Sequence, residues 1–130
     1  MKNLFFILEK GLVVEEPDFE KAMLWNADHS EDMRIAYDET DLYVVSTVFL
    51  GVNLTPGRPE PPQVFETMVF WSDAMMQHAR MRGVEIDLVV GQRRSSTLKE
   101  AQSSHEEVLA GMPKYLENVR HETKLLLSTL

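Results

Sequence analysis

The chain has no cysteine in its 130 residues. That absence removes disulfides, thiolate zinc sites and cysteine nucleophiles together, and it fits a cytosolic address. Long hydrophobic runs are missing too. None approaches the roughly 20 residues that span a bilayer, so no membrane association is expected. The opening MKNLFFILEKG carries one lysine and a short apolar block broken by Glu9, too little for the core of a secretion signal. Basic residues are scarce: 13 lysines and arginines stand against 21 acidic residues, for a formal net charge of −8. The deficit sits in residues 1–66, with 13 acidic and 5 basic side chains, whereas 67–130 holds 8 of each. A negative half repels phosphate, so nucleic acid is not an expected partner. Solubility or a basic protein surface remain as its uses.

What is present suits one domain. At 15.0 kDa and 44% hydrophobic residues, the chain builds a single core without staples. The apolar NLFFIL predicts a strand over 3–8, and EKG a turn before LVV. In EEPDFEKAMLWNAD, Pro17 suits a first helical turn and the acidic residues suit the positive end of the dipole. Phe19, Ala22, Met23 and Asn26 then share a face. MRIAYDETDLYVVSTVFLGV predicts a hairpin turning at Asp38–Asp41, whose second arm, 42–50, is apolar on both sides as a central strand would be. The stretch NLTPGRPEPPQ, with four prolines in eleven residues, predicts a surface loop. A second two-sided strand follows over 63–71. SDAMMQHARMRG predicts a short helix between Ser72 and Gly83, and VEIDLVV alternates like a half-buried strand.

The C-terminal third predicts helices. TLKE is a capping box, after which Leu98, Ala101, His105, Val108, Leu109 and Met112 fall on one face. Gly111 and Pro113 predict a break, with a second helix from about Pro113. The fold expected is α+β: an antiparallel sheet of four to five strands, helices packed on one side, and a long C-terminal helical segment. Residues 1–110 form the α+β domain and 111–130 an extension. The leucine stripe of 113–130 either docks on its own domain or packs on a second chain, and the expectation is a homodimer through it.

Candidate chemistry is limited to a few places. In QVFETMVFW, Glu66 sits among residues that want burial. Ser46 and Thr47 interrupt the other two-sided strand in the same way. A carboxylate among hydroxyls accepts hydrogen bonds, positions water or grips an amine. Two structural readings compete: a half-wet sheet face, or a carboxylate held by an arginine. His105 lies on an apolar helix face, where it serves either as a core residue with a hydrogen-bond partner or as an acid, base or ligand. HEEVLAG lacks the second histidine of H-E-x-x-H, so no metal is assigned there. Asp28, His29, Glu31 and Asp32 have a metal-ligating composition without a ligand spacing, and read as a hydrated helix end. Arg93 and Arg94, ahead of a capped helix, fit either an anion site or a counter-charge to the acidic half, Glu66 included. No cofactor is called for.

VSTVFLG (45–51), FETMVF (65–70) and RRSSTLKEAQSSHEEV (93–108) together resemble a family of small proteins of unknown function from bacteriophages and prophages. In that family an S-T-V-F-L-G strand, a proline- or glycine-rich loop, an F-E-T-M-V-F strand and a T-x-x-E-A-x-x-x-H helix follow one another. The segment between 71 and 93 is longer here, and 111–130 lies beyond the likeness. The resemblance implies a phage-associated protein of the host cytoplasm and supplies no activity. Glu66 and His105 inherit a motif position from it, not a role. The function expected is therefore an accessory protein that binds a host or phage protein, or a small ligand. An enzyme or ligand site built on Glu66, His105 and Arg93 or Arg94 is the alternative, and a virion component a weaker one.

Overall fold

The computed structural model describes residues 4–55, 57, 58 and 60–130. β1 (Phe6–Glu9) and β2 (Leu12–Glu15) form a separate antiparallel hairpin. Its two-residue turn, Lys10–Gly11, has φ of 51° and 80°. Positive φ at both positions matches the twist of a tight hairpin, and glycine takes the second without cost. α1 (Phe19–Asp28) is capped by Asp18, whose carboxylate accepts from the amides of Glu20 (2.9 Å) and Lys21 (3.2 Å). The helix thus begins after Pro17, not around it. Its buried side is Ala22 and the half-buried Trp25, which meets the Phe49 ring edge-on; Phe19 is 57% exposed. The face suggested by Phe19 and Met23 is turned outward.

The main sheet comprises β3 (Arg34–Glu39), β4 (Tyr43–Phe49), β5 (Phe65–Trp71) and β6 (Val89–Ser95), antiparallel in the order β3-β4-β5-β6. The two strands with apolar residues on both sides are the central pair, as their composition requires. Between them, 53–63 contains no helix or strand among its described residues; Pro56 and Pro59 lie outside these, as does Asn3 of the expected first strand. α2 (Asp73–Met81) starts at Ser72, whose hydroxyl accepts from the Met75 amide at 3.0 Å, and is followed by Gly83 at φ 69°.

Two expectations are corrected. The alternating stretch 84–90 is not the strand as a whole: Val84–Leu88 lies outside it, although the Leu88 carbonyl accepts from the Trp71 amide at 3.0 Å, and β6 begins only at Val89 and contains Arg93 and Arg94. Pairing with β5 decides this, and an edge strand needs no apolar alternation to be paired. Val84 and Ile86 still pack on the core. The helix break is also displaced. α3 (Leu98–Glu117) runs through Gly111 and Pro113, and α4 (His121–Thr129) follows only after Asn118. Proline costs an interior hydrogen bond. Burial of Met112 on one side of it and partial burial of Leu116 on the other carry the helix across, because packing outweighs local propensity.

α3 crosses the inner side of the sheet and contacts all four strands. On that side the core falls into two clusters. Tyr43, Val45, Val69, Trp71, Met75, Ala79, Met112 and Leu126 form one, closed by α2 and α4. Phe6, Phe49, Val64, Phe65 and Ala101 form the other, closed by the hairpin and α1. The stripe of α4 therefore docks on its own domain through Leu126 and Leu127, while Leu125 (53%) and Leu130 (49%) stay exposed.

Candidate functional site

Between the two clusters lies a polar layer, and the strand period creates it. Side chains alternate across a strand, so Thr47 and Thr67 point inward while Ser46 and Glu66 point outward. Thr47 and Thr67 are direct cross-strand partners, and their hydroxyl oxygens are 2.7 Å apart. His105 comes down from α3 to place Nδ1 2.8 Å from the Thr47 hydroxyl. Its Nε2 lies 2.7 Å from Oδ2 of Asp38, on the inner side of edge strand β3. A carboxylate only accepts, so Nε2–H donates to Asp38. In the neutral ring Nδ1 then accepts from Thr47, and Thr47 accepts from Thr67. Each of the four side chains thus has a partner in the network.

This order of hydroxyl, imidazole and carboxylate has the connectivity of a nucleophilic triad, but it lacks access. Thr47 is 0%, His105 1% and Thr67 2% exposed. A nucleophile must reach a carbonyl, and here α3 covers the hydroxyl. The arrangement can hold three strands and a helix together, and Asp38, half-exposed, is its opening to water.

On the other side of the sheet the chemistry differs. Glu66 and Arg94 are cross-strand partners, and Arg94 Nε–H donates to Glu66 Oε2 at 3.2 Å. The two side chains are 14% and 29% exposed. Arg93, one residue earlier, turns to the inner side and pairs with Glu107 of α3 at 2.7 Å, in solvent. Ser46 lies opposite Met68 on the same face as Glu66. The candidate residues thus divide into an inner set, Thr47 and His105, an outer set, Ser46, Glu66 and Arg94, and the solvent pair of Arg93. Glu66 and His105 do not share a place. The arginines belong to a strand, and Thr97 caps α3 by accepting from the Glu100 amide at 3.1 Å.

Sequence reasoning missed Asp38 as a site residue because it reads as a turn. The signal was available: the Tyr37/Asp38 alternation puts one of the two inward once β3 is extended to Glu39. At the acidic helix end, His29 Nδ1 is 2.9 Å from the Trp25 carbonyl and its ring stacks on Trp25. Among the described residues no group of three or more His, Asp or Glu could hold a metal ion. Two surface clefts stand apart from the network. The larger, about 1090 Å³, lies between the Gly83–Asp87 segment and the α3–α4 corner, and its lining includes Trp71, Arg80, Asp87 and Arg120. The smaller, about 370 Å³, includes Arg94 and Lys99 at the β6 edge. No helix among the described residues is long and apolar enough to cross a membrane.

No protein-family model matches this chain, and neither a curated protein nor a solved structure matches it.

Proposed function

We propose that this chain is a phage-associated accessory protein that acts in the host cytoplasm by protein contact, through the open face of its four-stranded sheet. One observation carries the reading. All helices pack on the inner side, yet the outer side of the central strands bears Val44, Val48, Met68 and Phe70, which enter neither core cluster. A partly exposed apolar face between polar edges is what a contact surface looks like. The two marked polar constellations are each satisfied internally, which favours a scaffold role for them. The three stretches that resemble phage proteins supply Thr47, Glu66, Thr67, Arg94 and His105, all of them holding the sheet together. That supports reading those motifs as fold-defining. The enzyme reading needs Glu66, His105 and an arginine at one concave place, and they lie on two sides of a sheet.

The test is capture from infected-host lysate by the immobilised wild type, the Met68→Asp variant and an Arg80→Ala/Arg120→Ala cleft variant. Capture lost in the first variant and kept in the second supports the sheet face. The reverse pattern moves the site to the cleft and overturns the reading.

A further inference from the structure

We propose that the occupant of the open face is a second copy of this chain, stacked face to face about a twofold axis that runs across the strands. The inference rests on the reading of that face as the contact surface. It is argued from where the sheet register puts charge. At one end of the face, the row runs Arg34, Val48, Glu66, Arg94 across the four strands. At the other end, Glu39 stands opposite Val44, and Val44 opposite Phe70. β3 therefore carries a cation at its start and an anion at its finish, on one side of the sheet and both exposed. Arg34 rests its guanidinium 4.8 Å above the Tyr37 ring, and among the described residues Glu39 has no ion-pair partner.

A face-to-face pair has two simple twofold arrangements. An axis along the strands exchanges β3 with β6, setting Arg34 against Arg94 of the second copy, twice. Like charges at both corners disfavour it. An axis across the strands lays β3 on β3 with its ends exchanged. Arg34 of each copy then meets Glu39 of the other, Val48 meets Val44, and Met68 meets its own counterpart at the centre. This is an isologous, self-complementary contact. Packed sheets lie about 10 Å apart with strands near alignment, which suits side chains of this size. Four strands spaced about 4.8 Å over about 20 Å of length offer on the order of 400 Å² per copy, about 800 Å² in total, less than the roughly 1,000 Å² that a stable specific interface clears, so the contact is a weak one. The dimer is therefore reversible and concentration-dependent.

Sedimentation velocity over a concentration series of the full chain tests it, with thermal melting as the check on folding. The wild type shifts towards twice the monomer mass as concentration rises. Arg34→Glu and Glu39→Arg each place like charges at both symmetric corners and raise the dimer Kd about tenfold or more. The double variant Arg34→Glu/Glu39→Arg restores the opposite-charge pairing and returns the Kd to near the wild-type value. Met68→Asp, on the axis, abolishes association. A wild type that stays monomeric throughout overturns the second copy as occupant. If Met68→Asp still abolishes lysate capture in that event, the contact face stands with another partner; if capture is unchanged, both readings fall. A dimer indifferent to the charge reversals but lost in Leu125→Asp places self-association on α4 and overturns the inference.

Discussion

Glu66 and Thr67 stand next to each other in β5, and the sheet sends one out and the other in. On the inner side, Thr67, Thr47 and His105 are buried between two apolar clusters and form one continuous hydrogen-bonded chain to Asp38. On the outer side, Glu66 meets Arg94 at 3.2 Å, with both side chains partly exposed. The charged pair looks stronger on paper, but burial reverses the ranking. A hydroxyl or imidazole sealed under a helix must find its partner inside the protein, and losing that partner leaves a desolvated polar atom. A partly exposed ion pair that is broken is more readily rehydrated. The inner layer also distinguishes one register from others. Sliding β5 by two residues against β4 would set Thr47 beside Phe65 or Val69 and leave part of the chain of hydroxyls unpaired. Apolar rungs alone would tolerate that slip better.

The most severe way to break the comparison is His105→Ala. It opens a cavity beneath α3 and strands both Thr47 and the inward side of Asp38. The expected loss in unfolding free energy is roughly 3–5 kcal/mol, read from urea denaturation. A loss under about 1 kcal/mol would mean that the layer is not what joins α3 to the sheet. Next comes Thr47→Val, which keeps the shape and removes the central hydroxyl. It should cost about 1–3 kcal/mol because His105 Nδ1 and the Thr67 hydroxyl lose their partner together. Adding Thr67→Val should then cost less than it does alone, since its partner is already gone. Additive losses in this cycle would show that the hydroxyls act independently.

The sequence disclosed more of this arrangement than of its edges. The central strands were legible because 42–50 and 63–71 are apolar on both sides, and only interior strands can use that. The polar interruptions at Thr47 and Glu66 were legible for the same reason. Their partners were not, because His105 is 58 residues from Thr47 in the chain and 67 from Asp38, and nothing local encodes such pairings. The alternation of 84–90 points to the wrong stretch for β6 because Val84 and Ile86 pack on the core from outside the sheet, while Val89–Ser95 carries the pairing. Local propensity argues for a helix break at Pro113, while the burial of Met112 appears only in three dimensions. Arg94 as the partner of Glu66 was within reach, one of two candidates in an acidic chain; strand period settles which of them faces outward.

The smallest effect belongs to the residue that looked most out of place. Glu66→Gln keeps the shape and an acceptor oxygen for Arg94 Nε–H, and deletes only the charge. Were Glu66 a buried structural anchor, the loss would approach that of a broken charged hydrogen bond, about 1.5–3 kcal/mol. At 14% and 29% exposure and 3.2 Å, the pair is partly open to water, so the expected loss is only about 0–1 kcal/mol. Salt sharpens the distinction. Raising ionic strength from about 0.05 to about 0.5 M shortens the Debye length severalfold and should erase most of the difference between Glu66→Gln and wild type. The Thr47→Val deficit, which comes from a hydroxyl buried under α3, should survive the same change. If Glu66→Gln instead costs more than about 2 kcal/mol and keeps that cost in high salt, the outer pair is a structural anchor comparable to the inner chain, and the ranking by burial fails.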